Sequence, residues 1–260
     1  MVQKREPAAH TEAAMKQLDD FEEQFEKRYR YKKWVNSRIS FLIVFCGVSA
    51  VLYSVFVFHN SLINRLRYMT FDGTIFTTVI SLFSGFVFLL EGLTQTEVTK
   101  RAVYFLRLSA ACTEFVIFIV VMFGLSPLVP DQPDISSYPG VMMHLVIPAL
   151  MLGSFMFNDA PIGRLKPMEP FLGTIFITIY AVIMFILFGF GILPPSLAPY
   201  SFLDFSRNSM SFKLLVLVVI YVVGYAISLA LSIMNRKLSW IWFAGIDRSK
   251  VSTRIRNGDK

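Results

Sequence analysis

Six apolar runs, each long enough to cross a bilayer, take up nearly half of this 260-residue chain. They cover residues 39–58, 71–90, 103–125, 141–157, 171–193 and 214–233. A hydrocarbon core about 30 Å thick needs about 20 helical residues at 1.5 Å each. Only the fourth run, at 17 residues, is short; it is expected to extend into its flanks or to sit where the bilayer thins. Backbone groups in lipid must bond within their own segment, so the runs predict helices and exclude open strands. The expected fold is all-α: a polytopic membrane protein with six transmembrane helices.

Charge sets the expected orientation. The formal charge of +7 could suit nucleic acid, but its distribution argues against that partner. Of 25 Lys and Arg, nine precede the first run and seven follow the last. The connections after runs 2 and 4 add Lys100, Arg101, Arg164 and Lys166. The other side carries only Arg65, Arg67, Arg207 and Lys213. The positive-inside rule then places both termini in the cytoplasm of a multi-pass cell-membrane protein. Cys46 and Cys112 lie within spans, which disfavours both a disulfide and a zinc site. No metal or cofactor is expected. With the first run starting at residue 39, after a charged segment, it reads as a signal anchor and not a cleaved leader.

Three regions follow: residues 1–38, amphipathic then basic; residues 39–235, the six-helix domain; and residues 236–260, a basic tail. Met15, Leu18, Phe21, Phe25 and Tyr29 recur every three or four residues, the spacing of an amphipathic helix. Lys27 to Lys33, with Trp34, would meet anionic lipids of the inner leaflet. Trp240 and Trp242 would anchor the other end at the interface. The connection over residues 125–140 holds four prolines, predicting an extended, stiff segment.

Polar residues among the spans are the candidates for chemistry. Thr70, at the start of run 2, reads on its own as an N-cap, with Asp72 complementing the helix dipole. His144 stands in the first turn of run 4. Both runs travel the same way through the membrane, so Thr70 and His144 are expected at similar depth under the outer face. Glu114 lies at the centre of run 3, where a carboxyl is costly and marks a functional or structural polar site. It is expected to be protonated or to bond another helix. Arg107, seven residues earlier, is expected to snorkel to the inner interface.

The stretch Arg67-Tyr68-Met69-Thr70-Phe71-Asp72, His144 with Pro148, and Tyr200-Ser201-Phe202-Leu203-Asp204 together resemble landmarks of one membrane family. It is the androgen-induced and androgen-dependent family, whose animal members hydrolyse fatty acid esters of hydroxy fatty acids. The resemblance covers roughly residues 39–235; the His-to-Pro spacing differs by one from the animal form. It implies a threonine nucleophile at Thr70, an essential histidine at His144, and a lipid-like ester as substrate.

The chemistry is sound on its own terms. A threonine hydroxyl needs a base to take its proton as it attacks an ester carbonyl, and His144 can serve near neutral pH. Helix N-termini there would offer free amides to an oxyanion. Asp72 or Asp204 would orient the imidazole, and His59 is the rival base. The competing readings are a transporter or channel working through Glu114, and a non-catalytic membrane scaffold.

Overall fold

The computed structural model describes residues 8–57, 66, 68–94, 101–125, 136–159, 166–194, 197–198 and 209–243. Six helices there are long and apolar enough to cross a membrane. They are α1 (Ala8–Phe56), α2 (Met69–Thr94), α3 (Arg101–Ile119), α4 (Tyr138–Asn158), α5 (Ile175–Gly189, whose span is completed by the 3-10 turns Glu169–Thr174 ahead of it) and α6 (Met210–Leu238). No strand occurs among the described residues. The short fourth run gains residues on both flanks and becomes a 21-residue helix, so it needs no thinned bilayer. The amphipathic segment and the first span are one unbroken 49-residue helix, with no joint at residue 38. His59 and Asp204 lie outside the described residues.

The centre of the bundle is α3. Arg107 through Glu114, eight consecutive residues, are each 0% exposed. A helix buried on every side cannot be amphipathic, which is why its apolar run shows no stripe. Leu108, Ala110, Ala111 and Cys112 join Ile43 and Cys46 of α1 with Ile147, Met151 and Phe155 of α4 in one core, closed by Ile177 and Leu231. Outward-facing Phe45, Phe83, Phe86, Val218 and Val222 are exposed; in a bilayer these are lipid contacts, where in water they would be a liability.

Small residues let the helices approach. A Cβ at Gly85 of α2 would stand 3.2 Å from the Cβ of Ser40 on α1, and one at Gly92 would stand 3.2 Å from Trp34 Nε1. Close backbone approach of this kind is how membrane helices gain dispersion energy where lipid supplies no hydrophobic drive. Ser37 uses that proximity to donate to the Gly85 carbonyl at 3.0 Å.

α4 is the irregular element. It contains two π-helical turns, Met142–Val146 and Ser154–Asn158. The first has a local cause. Pro148 has no N–H to give the carbonyl of His144, so the i→i+4 ladder is interrupted there and the Ile147 amide bonds back to Met142. Such turns often sit at functional positions, and this one carries His144.

Candidate functional site

α2 begins at Met69, one residue before Thr70, and the amides of Phe71 and Asp72 bond the Tyr68 carbonyl at 3.0 and 3.1 Å. Thr70 therefore sits inside the first turn and is not the cap, because a backbone carbonyl already satisfies the amides a cap would serve. At the start of α4, Gly140 and Val141 likewise donate to Ser137, through its side chain at 3.3 Å and its carbonyl at 2.9 Å. These four amides are engaged, so they are not the free donors that sequence reasoning placed there for an oxyanion.

Thr70 and His144 are neighbours by one remove. Phe71, Met143 and Ala50 of α1 form one small cluster, which brings the first turn of α2 near the second turn of α4. The expectation that His144 stands in a first turn is not met, because α4 begins at Tyr138. Both Thr70 and His144 are half-buried. The Nδ1 atom of His144 is buried with no hydrogen-bond partner, and the two side chains share no hydrogen bond. Asp72 lies elsewhere on the helix. It lines an apolar cavity of about 310 Å³ between α2 and α5, whose walls include Tyr180, Ile183, Met184 and Leu187.

Glu114 is fully buried, and neither of its carboxylate oxygens has a hydrogen-bond partner. The Thr77 hydroxyl of α2 faces it without completing a bond of good geometry. The expectation that this carboxyl bonds another helix is therefore met only by proximity.

The site that sequence reasoning missed lies at the basic end of the bundle. Arg107 does not snorkel; it is 0% exposed and its Nε donates to Asp159 Oδ2 at 2.6 Å. Its other nitrogens reach Ser40 and Ser84 from Nη1, at 3.2 and 3.0 Å, and Ser154 from Nη2, at 2.7 Å. Asn36 of α1 donates to Asp159 Oδ1 at 2.5 Å, and Asn235 of α6 donates to the Asp159 carbonyl at 3.1 Å. A planar guanidinium with five N–H groups is the side chain that can gather four helices at one point. Beside it Lys33 of α1 pairs with Glu91 of α2 at 2.5 Å, both buried. The sequence carried half of the signal: an arginine inside an apolar run requires a partner at its own depth, but no local pattern names Asp159 as that partner.

No cluster of three or more His, Cys, Asp or Glu able to hold a metal occurs among the described residues. Cys46 and Cys112 are both free and buried. Six apolar helices, each long enough to cross a bilayer, make this a multi-pass integral membrane protein. No family model matches the chain, and no curated protein or solved structure is significantly similar to it.

Proposed function

We propose that this protein hydrolyses a lipid-like ester, with Thr70 as nucleophile and His144 as base. The observation that supports it most is the shared apolar cluster of Phe71, Met143 and Ala50, because Thr70 and His144 are the chain neighbours of its α2 and α4 members. The unpartnered Nδ1 of His144 leaves an imidazole nitrogen available to accept a proton. The resemblance of 67–72 and of His144 with Pro148 to the androgen-induced family points the same way.

In this reading the Thr70 oxygen bonds to the ester carbonyl carbon while its proton passes to His144. The alkoxide departs as an alcohol, taking that proton, and leaves an acyl group on Thr70. Water attacks the acyl carbon, gives a proton to His144, and releases a fatty acid as Thr70 regains its own. The apolar cavity lined by Asp72, two residues from Thr70, has room for part of an acyl chain. Positive-inside charge would put this end at the outer leaflet.

The test is covalent labelling. Purified protein reacts with a fluorophosphonate directed at serine and threonine, and both Thr70→Ala and His144→Gln lose the label while remaining monodisperse. Label that survives in Thr70→Ala excludes Thr70 as the nucleophile.

A further inference from the structure

Five hydroxyl residues recur every three or four positions along α2: Thr70, Thr74, Thr77, Ser81 and Ser84. That spacing puts them on one face of the helix. The last four are each 0% exposed. The hydroxyls of Thr74, Thr77 and Ser81 have no hydrogen-bond partner from the protein, and neither have the two oxygens of Glu114 opposite them. Five unpartnered oxygens in one stretch of a membrane interior is too many to be left so, since each carries the desolvation cost of a lost bond.

The register of α2 against α3 fixes where they lie. Arg107 meets Ser84 at 3.0 Å, and a Cβ at Gly73 would touch Thr113 and Ile117. The two helices therefore run antiparallel, and seven residues along each brings Glu114 to Thr77, as its facing hydroxyl attests. Glu114 thus stands about 10 Å from the level of Arg107. On α4, Ser154 meets Arg107, so His144, ten residues earlier, is about 15 Å from that level and about one turn beyond Glu114.

Successive hydroxyls of the stripe are about 4.5 to 6 Å apart along the axis. That is too far for a direct hydrogen bond and about the span of one water bonded on both sides. At the basic end the file stops at Arg107, whose guanidinium is held by Asp159 and by Ser40, Ser84 and Ser154. A fixed positive charge in a narrow polar passage excludes protons and cations.

We propose that Glu114 is an intramembrane proton-binding site, reached through a file of bound water from the Thr70 end and closed toward the basic end by the Arg107–Asp159 pair. An isolated buried carboxylate is costly, and Glu114 has no cation to offset it. Arg107 is two turns away and already paired. From α4 the titratable group nearest in level is His144. Among the described residues, α2 carries Asp72, which lines the α2–α5 cavity with Tyr180 of α5, and Glu91, which is paired with Lys33 beyond the level of Arg107. Lys32 and Asp159 lie at that same basic end, Tyr104 lies on the far side of Arg107 along α3, and the buried thiols are those of Cys46 and Cys112. The proposal is independent of ester chemistry, and its test reads no turnover.

Infrared spectroscopy of the protein in lipid nanodiscs supplies that test. A protonated-carboxyl C=O band at neutral pH is expected in the wild type, retained in Asp72→Asn and absent in Glu114→Gln. It should move promptly on transfer to D2O. Thr74→Val should slow that shift about tenfold, the scale of one lost hydrogen bond, whereas Ser81→Ala on the closed side should leave it unchanged. Should Glu114→Gln not fold, Thr77→Val makes the assignment instead, by displacing the band. A wild type without such a band, a band indifferent to Glu114 and Thr77, or one inert to D2O overturns the proposal. A shift slowed by Ser81→Ala and untouched by Thr74→Val overturns its direction.

Discussion

Arg107 and Asp159, fifty-two residues apart in the chain, form a buried ion pair in which Nε donates to Oδ2 at 2.6 Å. The pair ties the middle helix to the end of α4, and Asn36 and Asn235 bring α1 and α6 to the same carboxylate residue. Breaking such a pair leaves one charge stranded, which costs about 3–5 kcal/mol, whereas replacing both partners by apolar residues costs far less. Arg107→Ala and Asp159→Ala should each lower the melting temperature of the purified protein sharply. The double variant Arg107→Met with Asp159→Leu should recover part of the loss. Arg107→Lys should behave nearly as badly as Arg107→Ala, because an ammonium cannot reach the partners of all three guanidinium nitrogens.

Pro148 offers a cleaner perturbation of the Thr70–His144 region. Restoring its N–H in Pro148→Ala lets the His144 carbonyl take an ordinary helical bond, so the π turn over Met142–Val146 should relax. Fluorophosphonate labelling should fall while the melting temperature holds or rises. Unchanged labelling would mean that the π turn has no part in positioning His144.

Gly173 stands where the turn preceding α5 crosses α3 and α6. A Cβ there would come within 2.9 Å of both Leu108 Cγ and Ser228 Cβ, and it would crowd the Ser228 hydroxyl that donates to Pro170 at 2.6 Å. Gly173→Ala should destabilise by about 1–3 kcal/mol, an overpacking cost. Gly153, with nothing within 4 Å, is the matched control, and Gly153→Ala should be neutral or slightly stabilising.

With six crossings, the charge bias predicts that both ends of the chain lie in the cytoplasm. Reporter fusions at both ends should be active only in their cytoplasmic form. A fusion at Lys260 active only outside would reverse the orientation.

The apolar runs were enough to place the helices, because lipid admits few alternatives for a long uncharged segment. Thr70 and His144 were legible as candidates through local pattern, yet the cluster that brings Phe71 and Met143 together depends on the packing of α1, α2 and α4, which no local pattern records. The destination of Arg107 was not legible. Asp159 ends its apolar run like any interfacial acid, and nothing local tells that it turns inward. The occupied amides of Phe71, Asp72, Gly140 and Val141 show another limit, since backbone capping by Tyr68 and Ser137 leaves little trace in side-chain pattern.

α1 has one further property. At 1.5 Å per residue its 49 residues measure about 74 Å, more than twice the thickness of a hydrocarbon core. Because the helix does not break where it leaves the bundle, its far end is carried at a set height and rotational phase. A rotation of the segment before Asn36 would therefore be carried along the helix to Asn36 and Ser40. Those residues grip the Arg107–Asp159 pair, so the N-terminal segment is a lever whose short arm lies inside the membrane.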